Sequence, residues 1–219
     1  MKLKIADIFL GLLAAAGVTG AQGQTSFSMQ LVADNDFAVF GGTATGINDL
    51  LYQNNDTWSQ QIPDLSTLNF TLSAGDTMFY VLGMGGGGQE NISGTVNGVD
   101  ITTIDVSMSS DLSPYLTDYQ NQVSLSDGGS PAAGTYNASL LDVQTAFPNL
   151  TWGSPTISYS DAVIQLASPN GAGFDFASDT APLFSFSAAD VGVQPTPEPS
   201  LIMLAGLSGL SLLFFRRRK

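Results

Sequence analysis

Short runs rich in β-favouring apolar residues, several of them alternating with polar ones and most bounded by Gly, Asn, Asp or Ser, recur through most of this chain. Alternation with period two marks a strand with one buried face, and its repetition between turn residues predicts an all-β fold. The expected strands are 27–32, 36–40, 68–72, 77–82, 92–96, 101–108, 156–159, 162–167 and 183–187. Asn97-Gly98 separates two such runs, and both residues accept the positive φ of a type I′ turn, so a hairpin is expected there. Ser73-Ala74-Gly75-Asp76 reads as a second tight turn joining two strands. Residues 137–145 break the alternation and place Leu140, Leu141 and Val143 on an expected inward helix face, and 113–119 reads as one helical turn. The predicted architecture is an antiparallel β-sandwich with one or two short helices. No fixed-period repeat points to a solenoid or propeller.

Two apolar runs are continuous rather than alternating. Residues 8–18 follow Lys2 and Lys4 and precede the small residues Thr19-Gly20-Ala21, which predicts a signal peptide over 1–21 cleaved after Ala21. Residues 201–215 would cover about 22 Å as a helix, short of the ~30 Å hydrocarbon core, with flanking arginines able to snorkel. A single transmembrane helix is expected over 201–215. The tail 216–219, Arg216, Arg217, Arg218 and Lys219, resists translocation and would stay cytoplasmic. Between the ends lie a body of ordinary domain size, 22–193, and a Pro-rich linker, 194–200.

That linker contains Pro197-Glu198-Pro199, directly before the apolar run and the basic cluster. The three-part order resembles the PEP-CTERM sorting signal of Gram-negative bacteria, which membrane-embedded exosortases recognise and process. The resemblance covers about 195–219. It implies Pro197, Glu198 and Pro199 as the sorting motif and an exosortase as partner. It also implies a route from an inner-membrane intermediate, body outside, to the cell surface or extracellular matrix of an exopolysaccharide-producing bacterium.

Charge narrows the body's chemistry. All six basic residues lie in the two end segments, and residues 22–194 hold sixteen aspartates, Glu90, and no Lys, Arg or His. Such a surface cannot neutralise phosphates, so nucleic-acid binding is excluded. Its carboxylates have no side-chain cation to pair with and must be solvated, hydrogen-bonded, or bridged by divalent cations; salt or Ca2+ is expected to stabilise the fold. Without His, Lys or Cys in the body, the usual activated-nucleophile and zinc arrangements cannot be assembled. Two carboxylates suffice for glycoside hydrolysis, yet nothing in the sequence singles out such a pair. A non-catalytic protein is expected.

Three features remain as candidate binding chemistry. Asp34, Asp36, Asp49 and Asp56, with Asn54 and Asn55 between them, supply hard oxygens of the kind Ca2+ takes, without the spacing of an EF-hand loop. Gly83-Met84-Gly85-Gly86-Gly87-Gly88 matches G-x-G-x-x-G, but β and turn residues follow where a dinucleotide site needs a helix, so it reads as a loop. Trp58, with Tyr52 nearby, lies among Asn, Gln and Ser and is a candidate platform for a polysaccharide ring, whereas Trp152 reads as core.

Around these residues a second pattern is present. Ala33-Asp34-Asn35-Asp36-Phe37-Ala38-Val39, then Trp58, Asn69-Phe70-Thr71-Leu72 and Gly75-Asp76, is similar to extracellular jelly-roll modules of the galactose-binding-like type. Gly41-Gly42 stands where those modules carry Val-Asn-Gly. The similarity covers about 26–99 and implies a jelly-roll-like sandwich.

Overall fold

The strand over Asp36–Thr43 (β2) is buried on both faces for all but its last residue, as is that over Met78–Met84 (β5) for all but its first. Even and odd residues of these strands therefore enter two different cores. The computed structural model describes residues 25–34, 36–54, 56, 61, 67–86, 90–120, 136–159 and 168–193. Residues 24–195 form one compact unit.

The remaining strands are β1 (Thr25–Ala33), β3 (Gly46–Gln53), β4 (Leu68–Leu72), β6 (Glu90–Val96), β7 (Val99–Asp100), β8 (Ser107–Ser109), β9 (Trp152–Gly153), β10 (Thr156–Ser158), β11 (Gly173–Phe176) and β12 (Leu183–Ser187). They pair antiparallel into two sheets. The first runs β10-β11-β6-β1-β4, with β7 also on β6; the second runs β3-β2-β5-β12-β8-β9. Phe27, Met29 and Leu31 of β1 and Ile92 and Val96 of β6 pack with Phe37, Val39, Phe79, Val81, Phe184 and Phe186 of the second sheet. This is the sandwich core.

A second core lies on the other face of the second sheet. Ala38, Phe40, Tyr80, Leu82, Met84 and Leu183 meet Leu112, Leu116, Tyr119, Tyr136, Val143 and Ala146. The cover is built around one short helix, α1 (Leu140–Ala146), whose first turn is capped by Ser139 Oγ accepting from the Asp142 N–H at 3.1 Å. Val143 and Ala146 face inward, but Leu141 is 71% exposed, contrary to the expected inward face. The expected turn at 113–119 is a 3-10 turn over Ser113–Tyr115, with 117–120 helical.

The two turns form, with one difference. Asn97 (φ 50°) and Gly98 (φ 76°) turn the chain so that Val96 faces Val99 and Thr95 faces Asp100, the expected hairpin. At 73–76 the Asp76 N–H donates to Ser73 O at 3.1 Å, but this turn carries the chain from the first sheet to the second and makes no hairpin.

Other expectations are corrected. Residues 101–108 do not form one strand. Asp100 Oδ1 accepts from the Thr102 N–H at 2.9 Å and winds 101–103 into a 3-10 turn, so pairing resumes only at Ser107. The two antiparallel sheets bear out the expected β-sandwich. The strand expected at 162–167 and the apolar runs 8–18 and 201–215 lie outside the described residues. Among the described residues no helix is long and apolar enough to cross a membrane.

Candidate functional site

Of the four aspartates proposed as ligands, Asp34 and Asp56 act electrostatically on Asp36, whereas Asp49 acts on Asp76. Asp36 opens β2 and is 3% exposed. Its Oδ1 accepts from Asn54 Nδ2 at 2.8 Å and its Oδ2 from the Tyr136 N–H at 3.3 Å. Burial pushes its carboxyl up to about 7; the bonds from Tyr136 and Asn54 work against that, and Asp56 and Asp34 add to it. A carboxyl engaged by donors at both oxygens and held near neutrality acts as part of the fold. Asp49, on β3, raises the pKa of Asp76 instead, where burial is the larger cause and Asn48 Nδ2, donating at 2.5 Å, opposes it. Among the described residues no group of three or more acidic side chains could hold a metal ion.

Neutral donors bind carboxylates of the body, both buried and exposed. Asp100 Oδ2 accepts from Ser168 Oγ at 2.5 Å and from the Asn170 N–H at 3.3 Å. The exposed Asp111 accepts from the N–H groups of Ser113 and Ala181 and from Ser113 Oγ. In a body without basic side chains this is the available way to bury charge, and each such bond fixes a loop to the sheets.

Tyr52 is no open platform: its ring packs between Phe37 and Phe70, each with centroids 5.7 Å away. Trp58 and Asn55 lie outside the described residues, as do Pro197, Glu198, Pro199, Arg216, Arg217, Arg218 and Lys219. The glycine run leads into β6, a strand, as its flanking residues predict. Before it, the Gly83 and Gly85 N–H groups donate to Pro182 O and Thr180 O, both at 3.0 Å, prolonging the contact of β5 with the β12 end.

The described aromatic site lies elsewhere. Phe40, Tyr80, Ser185 and Ser107 stand in register across β2, β5, β12 and β8. The helical cover buries the first half of this row and stops at Phe147. Beyond it, a cleft of about 200 Å3 is lined by Tyr80, Phe147, Trp152, Met78, Ser107 and Ser185, among others. Tyr80 meets Phe147 edge-on at 5.5 Å, and Phe147 meets Trp152 at 5.9 Å. Burial, then the neighbouring Asp76, pushes the Tyr80 hydroxyl up to about 12, so it stays protonated and donates to Thr43 O at 2.5 Å. Trp152 is 39% exposed, although its sequence context reads as core. No sequence signal marks this site, because sheet register alone joins the Ser107 region to the Ser185 region.

No family model matches the chain, and neither does any curated protein or solved structure.

Proposed function

We propose that this is an exported, non-catalytic surface or extracellular-matrix protein, sorted by an exosortase through Pro197-Glu198-Pro199. One observation carries the reading: the acidic, proline-flanked tripeptide, the apolar run 201–215 and the cluster Arg216–Lys219 follow one another with only Ser200 between the first two. The prolines keep the approach to the membrane extended and accessible, the apolar run partitions into lipid, and the cations hold the tail inside. The basic n-region and apolar run near residue 1 supply the matching export signal. A body of antiparallel sheets with sixteen aspartates and no Lys, Arg, His or Cys supports a role outside the cytoplasm that needs solubility.

Intact-mass and C-terminal peptide analysis of the protein from a Gram-negative host carrying an exosortase tests this. The expected mature form lacks 1–21 and ends near 197–200. A mature protein that still carries Arg216–Lys219 overturns the sorting reading.

A further inference from the structure

The cleft beside Trp152 has a definite chemical character. Its floor includes two serines paired directly across β8 and β12, Ser107 and Ser185, which places two hydroxyl-bearing side chains side by side. Its aromatic side is the Tyr80–Phe147–Trp152 cluster: Phe147 meets both other rings edge to face and Tyr80 meets Trp152 at a tilt, with centroids 5.5 to 6.3 Å apart. Contact that close leaves no gap between ring faces in which a cationic head group could be enclosed. What remains open is part of Trp152, next to hydroxyls. An apolar surface beside paired hydroxyls suits a ring with an apolar face and hydroxyls on its rim. None of the lining residues is charged. The body, with its aspartates and no cation, repels an anionic ring. At about 200 Å3 the cleft lies below the ~300 Å3 at which pockets for larger ligands begin, so it fits one ring, not an extended ligand.

We infer that this cleft is a binding site for a single neutral pyranose ring, stacked on Trp152 and hydrogen-bonded to Ser107 and Ser185. Phe147 and Tyr80 are positioning residues: Phe147 meets the indole edge-on and Tyr80 meets it at a tilt, and Tyr80 is itself fixed by its bond to Thr43 O. The inference goes beyond the sorting reading and does not depend on it. It places an aromatic platform at Trp152, separate from the Trp58 and Tyr52 candidate.

The test is saturation-transfer NMR with isothermal titration on the full-length protein. The probes are methyl glycosides of glucose, galactose, mannose and N-acetylglucosamine, with glucuronate and tetramethylammonium as charged comparisons. At least one neutral glycoside is expected to bind saturably. Its Kd should rise about tenfold in Trp152→Ala and severalfold in Ser107→Ala, with Trp58→Ala unchanged. Ser107 is exposed, so its variant reads the site without endangering the fold. Trp152→Phe should keep much of the affinity. The inference is overturned if no neutral glycoside binds, if binding survives Trp152→Ala, or if glucuronate or tetramethylammonium binds at least as tightly.

Discussion

Asn54 donates one side-chain amide hydrogen to Asp36 at 2.8 Å, and the same nitrogen reaches Asp56 O at 2.9 Å. The Asn54 N–H meanwhile donates to Phe37 O at 2.9 Å. Gln61 adds a second tie, accepting from the Ala33 N–H at 2.9 Å and donating to Asp56 O at 3.3 Å. A buried carboxyl and two amides thus fasten the chain after β3 to the ends of β1 and β2. In a body without basic side chains, this knot does what an ion pair does elsewhere.

The knot has a pH signature. Folding raises the Asp36 pKa from 3.8 to about 7, so the native state holds a proton that the unfolded chain releases between those values. The stability from this group is fully present below pH 4, is lost as pH rises through 7, and amounts to on the order of 4 kcal/mol. Urea unfolding should therefore show a more stable protein at pH 5 than at pH 8. Asp36→Asn should flatten most of that difference, at the cost of the bond from Tyr136. An equal pH slope in the variant would mean that the remaining carboxylates carry the effect.

Phe27 and Phe79 join the two sheets edge to face at 4.4 Å, and Phe79 continues to Phe186 at 5.6 Å. Both Phe27 and Phe79 are essentially buried. Phe79→Ala is expected to cost about 3–5 kcal/mol, a large share of the ~5–15 kcal/mol that holds a domain together. Denaturant midpoints would read it directly. Leu141→Ala, on the exposed side of α1, should stay within about 0.5 kcal/mol.

Where side-chain alternation met the sheet interior, it located strands: β1, β2, β4, β5, β6 and β12 all contain expected runs. β3 escaped because Asn48 and Asp49 interrupt its apolar residues, as an edge strand with register shifts permits. β11 escaped because Gly-Phe-Asp-Phe is short and follows Gly171-Ala172, which reads as loop. The second core was not read from the sequence, although the unbroken apolar run 79–82 is what a strand buried on both faces carries. The cleft was not visible at all. Trp152 carries no mark of exposure in Asn-Leu-Thr-Trp-Gly, and the serines beside it become neighbours only through β12–β8 register.

Asn97 does more than turn the hairpin. Its Oδ1 accepts from the Ser28 N–H at 2.9 Å, and its Nδ2 donates to Val191 O at 3.1 Å, so one side chain ties β1 and the 3-10 turn after β12 to the β6–β7 corner. Asn97→Gly keeps the positive φ and loses both bonds; Asn97→Ala loses both and strains the backbone. Asn97→Gly is expected to cost about 1–3 kcal/mol and Asn97→Ala about 1 kcal/mol more. Thermal melts of the pair separate the two contributions. Equal losses would show that the bonds, and not the backbone, govern the corner.

Gly94 sits in β6 opposite Leu31 with φ 145°, and a Cβ there would overlap the Gln30 carbonyl oxygen on β1. The clash is with backbone in the middle of the first sheet, so no side-chain rotation relieves it. Gly94→Ala should therefore cost at least about 2 kcal/mol. Gly153 in β9 is the matched control: a Cβ there meets nothing within 4 Å, and the position lacks a positive φ. Gly153→Ala should change stability by no more than about 0.5 kcal/mol. Urea midpoints for the two variants decide whether close approach of β6 to β1 is what demands the glycine. A tolerated Gly94→Ala would show that the two strands can part without loosening the sandwich.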